Sequence, residues 1–462
     1  MEFLHDNMLL NSDLAVMLYE KYAKNAPIID YHSHLSPREI AEDKAFYNLT
    51  ELWLGGDHYK WRLMRSCGVS EELITGNAGA EEKFHAFASI LPLCIGNPIY
   101  VWCHLELKTY FGITAEINAQ AADEIFEQTK DMMKGGSYSA QKLILRSNVA
   151  ALCTTDDPVD SLEYHSQLAA SDFSVKVFPT FRPDKILNIN LPGFSAYAEQ
   201  LTGKVKPDLN EILAALKASL DRFCGSGCFV SDHALDNYTY LECSDLEAGR
   251  IAAKALSGEL VSAEESEKYK TYVLLFLARE YEARGMAMQL HLCCRRNVNS
   301  AMFEKLGADS GFDAVERSEQ PWKLAKLLDA LAAGGSLPKT IVYSLDPGDD
   351  KILNTVIQCF QGGGRGRLQH GSAWWFNDTK LGMRAQLQVV SEYSVLGNFI
   401  GMLTDSRSFT SYVRHDYFRR ILCDHVAEYA LSGEYPHGEA GLKRIIENIC
   451  YANARDYFGL KL

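Results

Sequence analysis

The sequence predicts an α/β fold, a (β/α)8 barrel carrying a mainly helical insertion after its first strand. Three observations support this. Eight short apolar, β-rich runs recur along the 462 residues and alternate with long amphipathic stretches. Polar and ionisable residues gather at the C-terminal ends of these runs, where a parallel barrel builds its active site. No repeat, linker or charge block divides the chain, and its length suits one large barrel with an insertion. A doubly wound open sheet is the competing α/β arrangement.

The first run, Ile28-Ile29-Asp30, opens into Tyr31-His32-Ser33-His34. The others cover residues 149–153, 175–180, 228–231, 286–292, 340–345, 369–376 and 399–404. Apolar spacing of helical period predicts helices over 209–223, 265–284 and 323–333. Residues 31–148 separate the first two runs, far more than one crossover needs, and they show helical patterns at 80–90 and 118–134. The expected organisation is an N-terminal helix and first strand (1–35), a helical insertion (36–140) and the rest of the barrel (141–462). The insertion then lies above the C-terminal mouth, where it can reach the site.

Composition narrows the partners. The chain is 47% hydrophobic and 23% charged, which excludes disorder as its main state. Lys+Arg total 46 and Asp+Glu 60, a net charge of −14 that disfavours nucleic acid and anionic membrane. An anionic small molecule is not excluded, because a pocket can be locally basic. The N-terminal MEFLHDNMLLNSDLAVMLYEKYAK has early acids and no basic n-region, unlike a secretory signal. The densest apolar run, 272–278, is too short to span a bilayer. Twelve scattered cysteines are expected to be reduced thiols of a cytoplasmic protein. Cys224 and Cys228 have CxxxC spacing, but no second pair follows at zinc-site distance. The glycine run at 361–367 lacks Gly-Lys-Ser/Thr and follows a helical pattern, so a mobile loop is expected there rather than a phosphate cradle.

The run ends hold the candidate chemistry. His32 and His34 are spaced i, i+2, which on a strand puts both imidazoles on one face. Such a pair suits a divalent transition metal such as zinc, or is a hydrogen-bonded pair at a strand end. Barrel closure would bring Asp405, after the last run, beside them as ligand, general base or both; the alternative is a helix N-cap. Arg182 and Arg407 are candidate anion clamps, or structural partners of acids such as Asp184. Arg414, Arg419 and Arg420 lie in a helical stretch and are expected to be solvated or at an interface. His58 and Tyr59 follow the Gly55-Gly56 pair and could form a proton-transfer pair above the barrel, or an ordinary loop entering a helix. Trp374 and Trp375 suit the core or the face of a sugar ring.

Longer motifs add a resemblance. Asp30-Tyr31-His32-Ser33-His34 is joined by Leu52-Trp53-Leu54-Gly55-Gly56-Asp57-His58-Tyr59-Lys60-Trp61-Arg62 and by Phe181-Arg182-Pro183-Asp184. Arg296-Asn297-Val298-Asn299, Trp374-Trp375-Phe376-Asn377-Asp378 and Met402-Leu403-Thr404-Asp405-Ser406-Arg407-Ser408-Phe409 follow. On these the chain resembles, over nearly its whole length, the uronate isomerase (glucuronate/galacturonate isomerase) family of the amidohydrolase superfamily. The resemblance implies an amidohydrolase-type barrel and one divalent ion, with zinc expected, at His32, His34 and Asp405. It implies aldose–ketose isomerisation of hexuronates, D-glucuronate to D-fructuronate and D-galacturonate to D-tagaturonate, by enediol proton transfer. Tyr59 and Asp405 would move protons, with Arg407 close to the reacting carbons. His58, Arg182, Asp232, His291 and Trp374 would contact substrate, and His291 could instead be a ligand. No lysine ends the fourth run, which reads Ser231-Asp232-His233, so one metal is implied rather than two.

Two stretches depart from the pattern. Leu292-Cys293-Cys294-Arg295 stands where a leading glycine is expected, and Asp346-Pro347-Gly348-Asp349 replaces an Asn-Pro-Arg-Asp type, which bears on substrate preference. A metal-dependent amidohydrolase or lactonase on the same barrel is the nearest alternative. A non-catalytic sugar-acid-binding protein would explain the arginines and tryptophans, but not the paired histidines with the late Asp405. The expected partner is a small hexuronate, not nucleic acid or membrane, and a homo-oligomer is left open.

Overall fold

Nine strands form among the residues described by this computed structural model, 3–462. Met1 and Glu2, part of the N-terminal reading above, lie outside them. In chain order the strands are β1 (Ile28–Asp30), β2 (Val149–Cys153), β3 (Lys176–Phe178), β4 (Val230–Asp236), β5 (Ala287–Leu292), β6 (Cys294–Arg295), β7 (Ala314–Val315), β8 (Lys339–Ser344) and β9 (Leu368–His370). β6 and β7 pair as a small antiparallel ribbon. The other seven are parallel, in two ladders ordered β1-β2-β3 and β4-β5-β8-β9. Phe181 joins the ladders through isolated parallel bridges to Asp156 and Ser231. The resulting order follows the chain without a reversal, whereas a doubly wound sheet requires one.

The eighth expected run is a correction. Residues 399–406 form no strand, and no ladder joins them to β9 among the described residues. Gly401 (φ +84°) and Asp405 (φ +45°) take the left-handed region, which interrupts extended pairing. The segment nevertheless lies against the end of β1. The Asp405 N–H donates to the His32 carbonyl (3.1 Å), and the His34 N–H to the Ser406 carbonyl (3.0 Å). The buried Asp30 carboxylate accepts from the Thr404 N–H (2.8 Å) and hydroxyl (2.5 Å). A carboxylate thus does part of the stitching expected of a backbone ladder.

The helices follow the apolar periodicity. Leu209–Gly225 and Ala263–Ala283 each start at a capping box, Asp208 with Glu211 and Ser262 with Glu265. Gln320–Ala333 covers the third expected stretch. Between β1 and β2 the chain is mainly helical, including Leu49–Leu54, His58–Ser66, Ala80–Ile90, Pro98–Glu106 and Ala122–Met133. Two apolar cores result. One packs β4, β5 and β8 against helices through Leu290, Ile341, Leu274 and Leu277. The other joins the inserted helices to the late helix Val413–Leu431 through Trp53, Phe87, Trp102, Phe418 and Leu422.

That second core overturns the solvated reading of Arg414, Arg419 and Arg420, all of which are buried. Arg419 donates to the Pro27 carbonyl (3.1 Å), and Arg420 pairs with Asp416 (2.9 Å). Arg414 donates instead to the Thr404 carbonyl (2.8 Å), so two of the three guanidiniums are satisfied by backbone oxygens and only Arg420 by a carboxylate. The glycine-rich loop is pinned rather than free: Arg365 donates to Asn398 (2.5 Å) and Arg367 to Glu282 (3.0 Å). Among the described residues all twelve cysteines are free thiols, and no helix is long and apolar enough to cross a membrane.

The turn at Gly401 sets where the 399–406 segment runs. Its carbonyl accepts from the Tyr31 hydroxyl (2.8 Å), and an added Cβ would sit 2.3 Å from the Ile449 carbonyl oxygen. Gly401→Ala is expected to cost about 2–4 kcal/mol through backbone strain plus the clash. Denaturant unfolding checks this, and an unchanged midpoint would refute the constraint.

Candidate active site

β1 ends in Asp30, and the chain then presents His32 and His34. Their Nε2 atoms stand 3.2 and 3.1 Å from one oxygen of Asp405, Oδ1. The other oxygen, Oδ2, accepts the Trp374 indole N–H at 2.9 Å. Trp374 has φ +66°, and its backbone N–H is held by buried Asp378 at 2.9 Å. A turn after β9 therefore aims an indole at the carboxylate carried by 399–406. Trp374 is nearly buried, but its polar edge faces the site rather than the core.

Burial would raise the Asp405 carboxyl, yet the His32 and His34 hydrogen bonds hold it well below the usual carboxylate range. Burial pushes His34 down to about 4. Burial also works to lower His32, but the Asp232 and Asp405 carboxylates outweigh it and raise that imidazole.

Behind His32 lies Asp232, on β4 and fully buried. It contacts His291 Nδ1 at 2.7 Å and an Arg182 guanidinium nitrogen at 2.9 Å, though neither contact has hydrogen-bond geometry. His32 Nδ1, 3.9 Å away, is beyond hydrogen-bond reach and has no partner. Burial would raise Asp232, but Arg182, His291 and His32 keep it well below the ordinary range. Arg182 also donates through Nε to Asp184 at 2.7 Å, so the salt bridge weighed from sequence exists. It does not remove Arg182 from the cavity.

The insertion supplies the opposite wall. Asp57 caps the helix His58–Ser66 by accepting from the Tyr59 and Lys60 N–H groups, and its second oxygen pairs with buried Lys60 at 2.7 Å. This directs His58 and Tyr59 inward, stacked at 4.9 Å. Burial and then the Asp405 charge keep the Tyr59 phenol protonated, well above its ordinary pKa. Burial and then the Arg407 charge lower His58.

A cavity of about 330 Å³ lies between these walls, a size suited to a small-molecule ligand. His32, His34, His58, Tyr59, Arg182, His291, Trp374, Asp405 and Arg407 all line it. Asp232 lies behind the lining. Thr155, Arg296, Asp309, Trp375 and Arg414 line it as well. Arg414 donates to the Thr404 carbonyl (2.8 Å) and stacks over Trp102 (4.5 Å) and Tyr59 (5.5 Å). In sequence it carries a helical pattern and no run-end signal. Arg296 sits in a quoted motif, whereas Asp309 lies in a loop with no motif of its own.

Two donor sets arise, both using His32: the fully buried His32–Asp232–His291, and His32–His34–Asp405, whose last two members are half-buried. A parallel α/β fold with a His-x-His pair at the first strand's end and a late carboxylate beside it is amidohydrolase-like. Within that class the chain belongs to the glucuronate isomerase family, whose model matches residues 1–458. It is 49% identical to a uronate isomerase of Caldicellulosiruptor bescii over 99% of each chain. A crystal structure of uronate isomerase from Thermotoga maritima superposes with TM-score 0.93 at 34% identity, covering 99% of this chain and 100% of that one. A glucuronate isomerase structure from Caulobacter crescentus gives 0.92 at 26% identity, covering 100% and 98%.

The ion cluster has a stability consequence. Asp232→Asn removes the charge that compensates Arg182 and is expected to cost about 3–5 kcal/mol, as when one partner of a buried pair is lost. Asp184→Asn, at a partly exposed carboxylate, is expected to cost less. Equal shifts in the denaturant midpoints would contradict this ranking.

Proposed function

We propose that this cavity isomerises hexuronates, D-glucuronate to D-fructuronate and D-galacturonate to D-tagaturonate, by enediol proton transfer. The observation that supports it most is Asp405: one ionised carboxylate, held by His32 and His34, facing the cavity that Tyr59 and Arg407 share. Membership of the glucuronate isomerase family supports the same reaction over hydrolysis.

The residues fit a single divalent ion, with zinc expected. His32 Nε2, His34 Nε2 and Asp405 Oδ1 are nitrogen and oxygen donors whose 3.1 and 3.2 Å separations suit ligands about 2.1 Å from one centre. When bound, the ion supplies positive charge for the oxygens of the reacting carbons.

The chain's own groups divide the remaining work. Asp405 takes the C2 proton and, after exchange with solvent, delivers a proton to C1. Tyr59, protonated in its buried setting, serves the oxygens, donating at O1 as the aldehyde becomes a hydroxyl and recovering its proton from the O2 hydroxyl as the C2 ketone forms. Arg407 stabilises the enediolate charge. Arg182, braced by Asp232 and Asp184, anchors the uronate carboxylate away from the reacting carbons. His58, His291 and Trp374 contact the sugar, and Trp374 also orients Asp405. Asp232 acts on substrate through Arg182 and His291.

We read the seven parallel strands with 399–406 as an amidohydrolase-type barrel. Residues 1–35 begin it, 36–140 insert over its mouth and 141–462 complete it. The net charge of −14 supports a small-molecule partner rather than nucleic acid, and the free thiols suit a cytoplasmic location.

Elemental analysis is expected to find one divalent ion per chain, lost when His32→Ala and His34→Ala are combined. Full occupancy in that double variant would overturn the donor set. Proton transfer has its own test. In D₂O, NMR is expected to show solvent deuterium at C1 of the ketose. Asp405→Asn should lower kcat by about 10²–10⁴, the usual cost of losing a general base, with metal content measured alongside. Tyr59→Phe should lower kcat with metal content unchanged. A normal rate in metal-replete Asp405→Asn would refute the base.

A further inference from the structure

Among the described residues Arg407 has one hydrogen-bond partner, Asp309, whose Oδ2 accepts from the guanidinium at 2.9 Å. Asp309 belongs neither to β1 nor to 399–406. It lies in the loop that follows the helix Ser300–Leu306, within the excursion between β6 and β7. Its φ is +56°, a left-handed conformation that directs the carboxylate to the cavity rim.

The loop is tied at both ends. The Asn297 N–H donates to Asp313 (2.8 Å), and the Val298 N–H to the Phe312 carbonyl (2.8 Å). Arg62 and Arg65, on the helix that carries His58 and Tyr59, donate to the Gly311 (3.2 Å) and Ser310 (2.5 Å) carbonyls. Gly311 (φ +97°) permits this approach, since an added Cβ would lie 3.2 Å from the His58 carbonyl oxygen. One loop therefore grips the helix His58–Ser66 and reaches Arg407, the residue that follows 399–406. Burial works to raise Asp309, and the Arg407 and Arg296 charges hold it below the ordinary carboxylate range.

The geometry points to Asp309 as a positioning residue that fixes the Arg407 guanidinium over the reacting carbons. This rests on the isomerase reading of Arg407. The pair is partly exposed, 54% at Asp309 and 32% at Arg407, so its contribution is to orientation more than to stability.

The test is a double-variant cycle, with turnover of D-glucuronate followed by NMR at high enzyme concentration so that slow rates are still counted. Asn tolerates the left-handed backbone. Asp309→Asn is expected to lower kcat by about 10- to 100-fold, as for a misplaced reacting group. KM should change little, and the metal content and melting temperature should stay as in the parent. Asp309→Glu should recover part of the loss. In an Arg407→Met background the same Asp309→Asn change should have no further effect. A normal kcat in Asp309→Asn, or losses that multiply in the double variant, would overturn the inference. A normal kcat in Arg407→Met alone would instead overturn the reading of Arg407 on which it rests.

Discussion

The site depends on the contact between the end of β1 and the irregular segment 399–406. Asp30 accepts from Thr404 through both its oxygens, and one residue on, Asp405 reaches the two imidazoles that follow Asp30. Asp30 is the last residue of β1, and 399–406 forms no strand. The first carboxylate fixes the two backbones in register, and the second places a charge between His32 and His34. The left-handed backbone of Asp405 lets its side chain turn inward while its N–H still pairs with His32. Strain of this kind, held by surrounding bonds, is common at functional sites.

Burial without neutralisation is costly, and the charges around the cavity are matched with that in view. Asp232 faces Arg182 and His291, Lys60 faces Asp57, and Arg296 faces Asp236 and Asp313. Each pair also sets a geometry. The Asp57 cap turns His58 and Tyr59 toward the cavity, and Asp378 holds the turn that aims Trp374 at Asp405. The lining side chains are therefore braced from behind, as a preorganised polar site requires.

The helices between β1 and β2 reach the cavity and share a core with the late helix Val413–Leu431. Arg414, from that helix, lies over the Tyr59 ring and bonds to Thr404. The wall from the insertion and the wall from 399–406 are thus held by one buried side chain.

The sequence by itself determined the parallel α/β class, the mainly helical character of the stretch between β1 and β2, and most of the cavity lining. Apolar period and run ends are local signals, and His32, His34, Arg182, His291 and Trp374 sit at or just beyond such ends. The family was legible from long motifs such as Leu52 to Arg62. Only the tertiary structure decided the rest. Residues 399–404 have strand-like composition, but Gly401 and Asp405 need left-handed backbone that only their neighbours justify. Arg414, Arg419 and Arg420 look solvated along a helix until two other layers cover it. Asp232 looks like a lining residue until Arg182 and His291 are seen to stand in front of it. Asp309 carries no local signal, because its partner Arg407 lies far along the chain and only folding brings the two together. Periodicity reports which face of an element is apolar; it does not report which distant charge will meet that face.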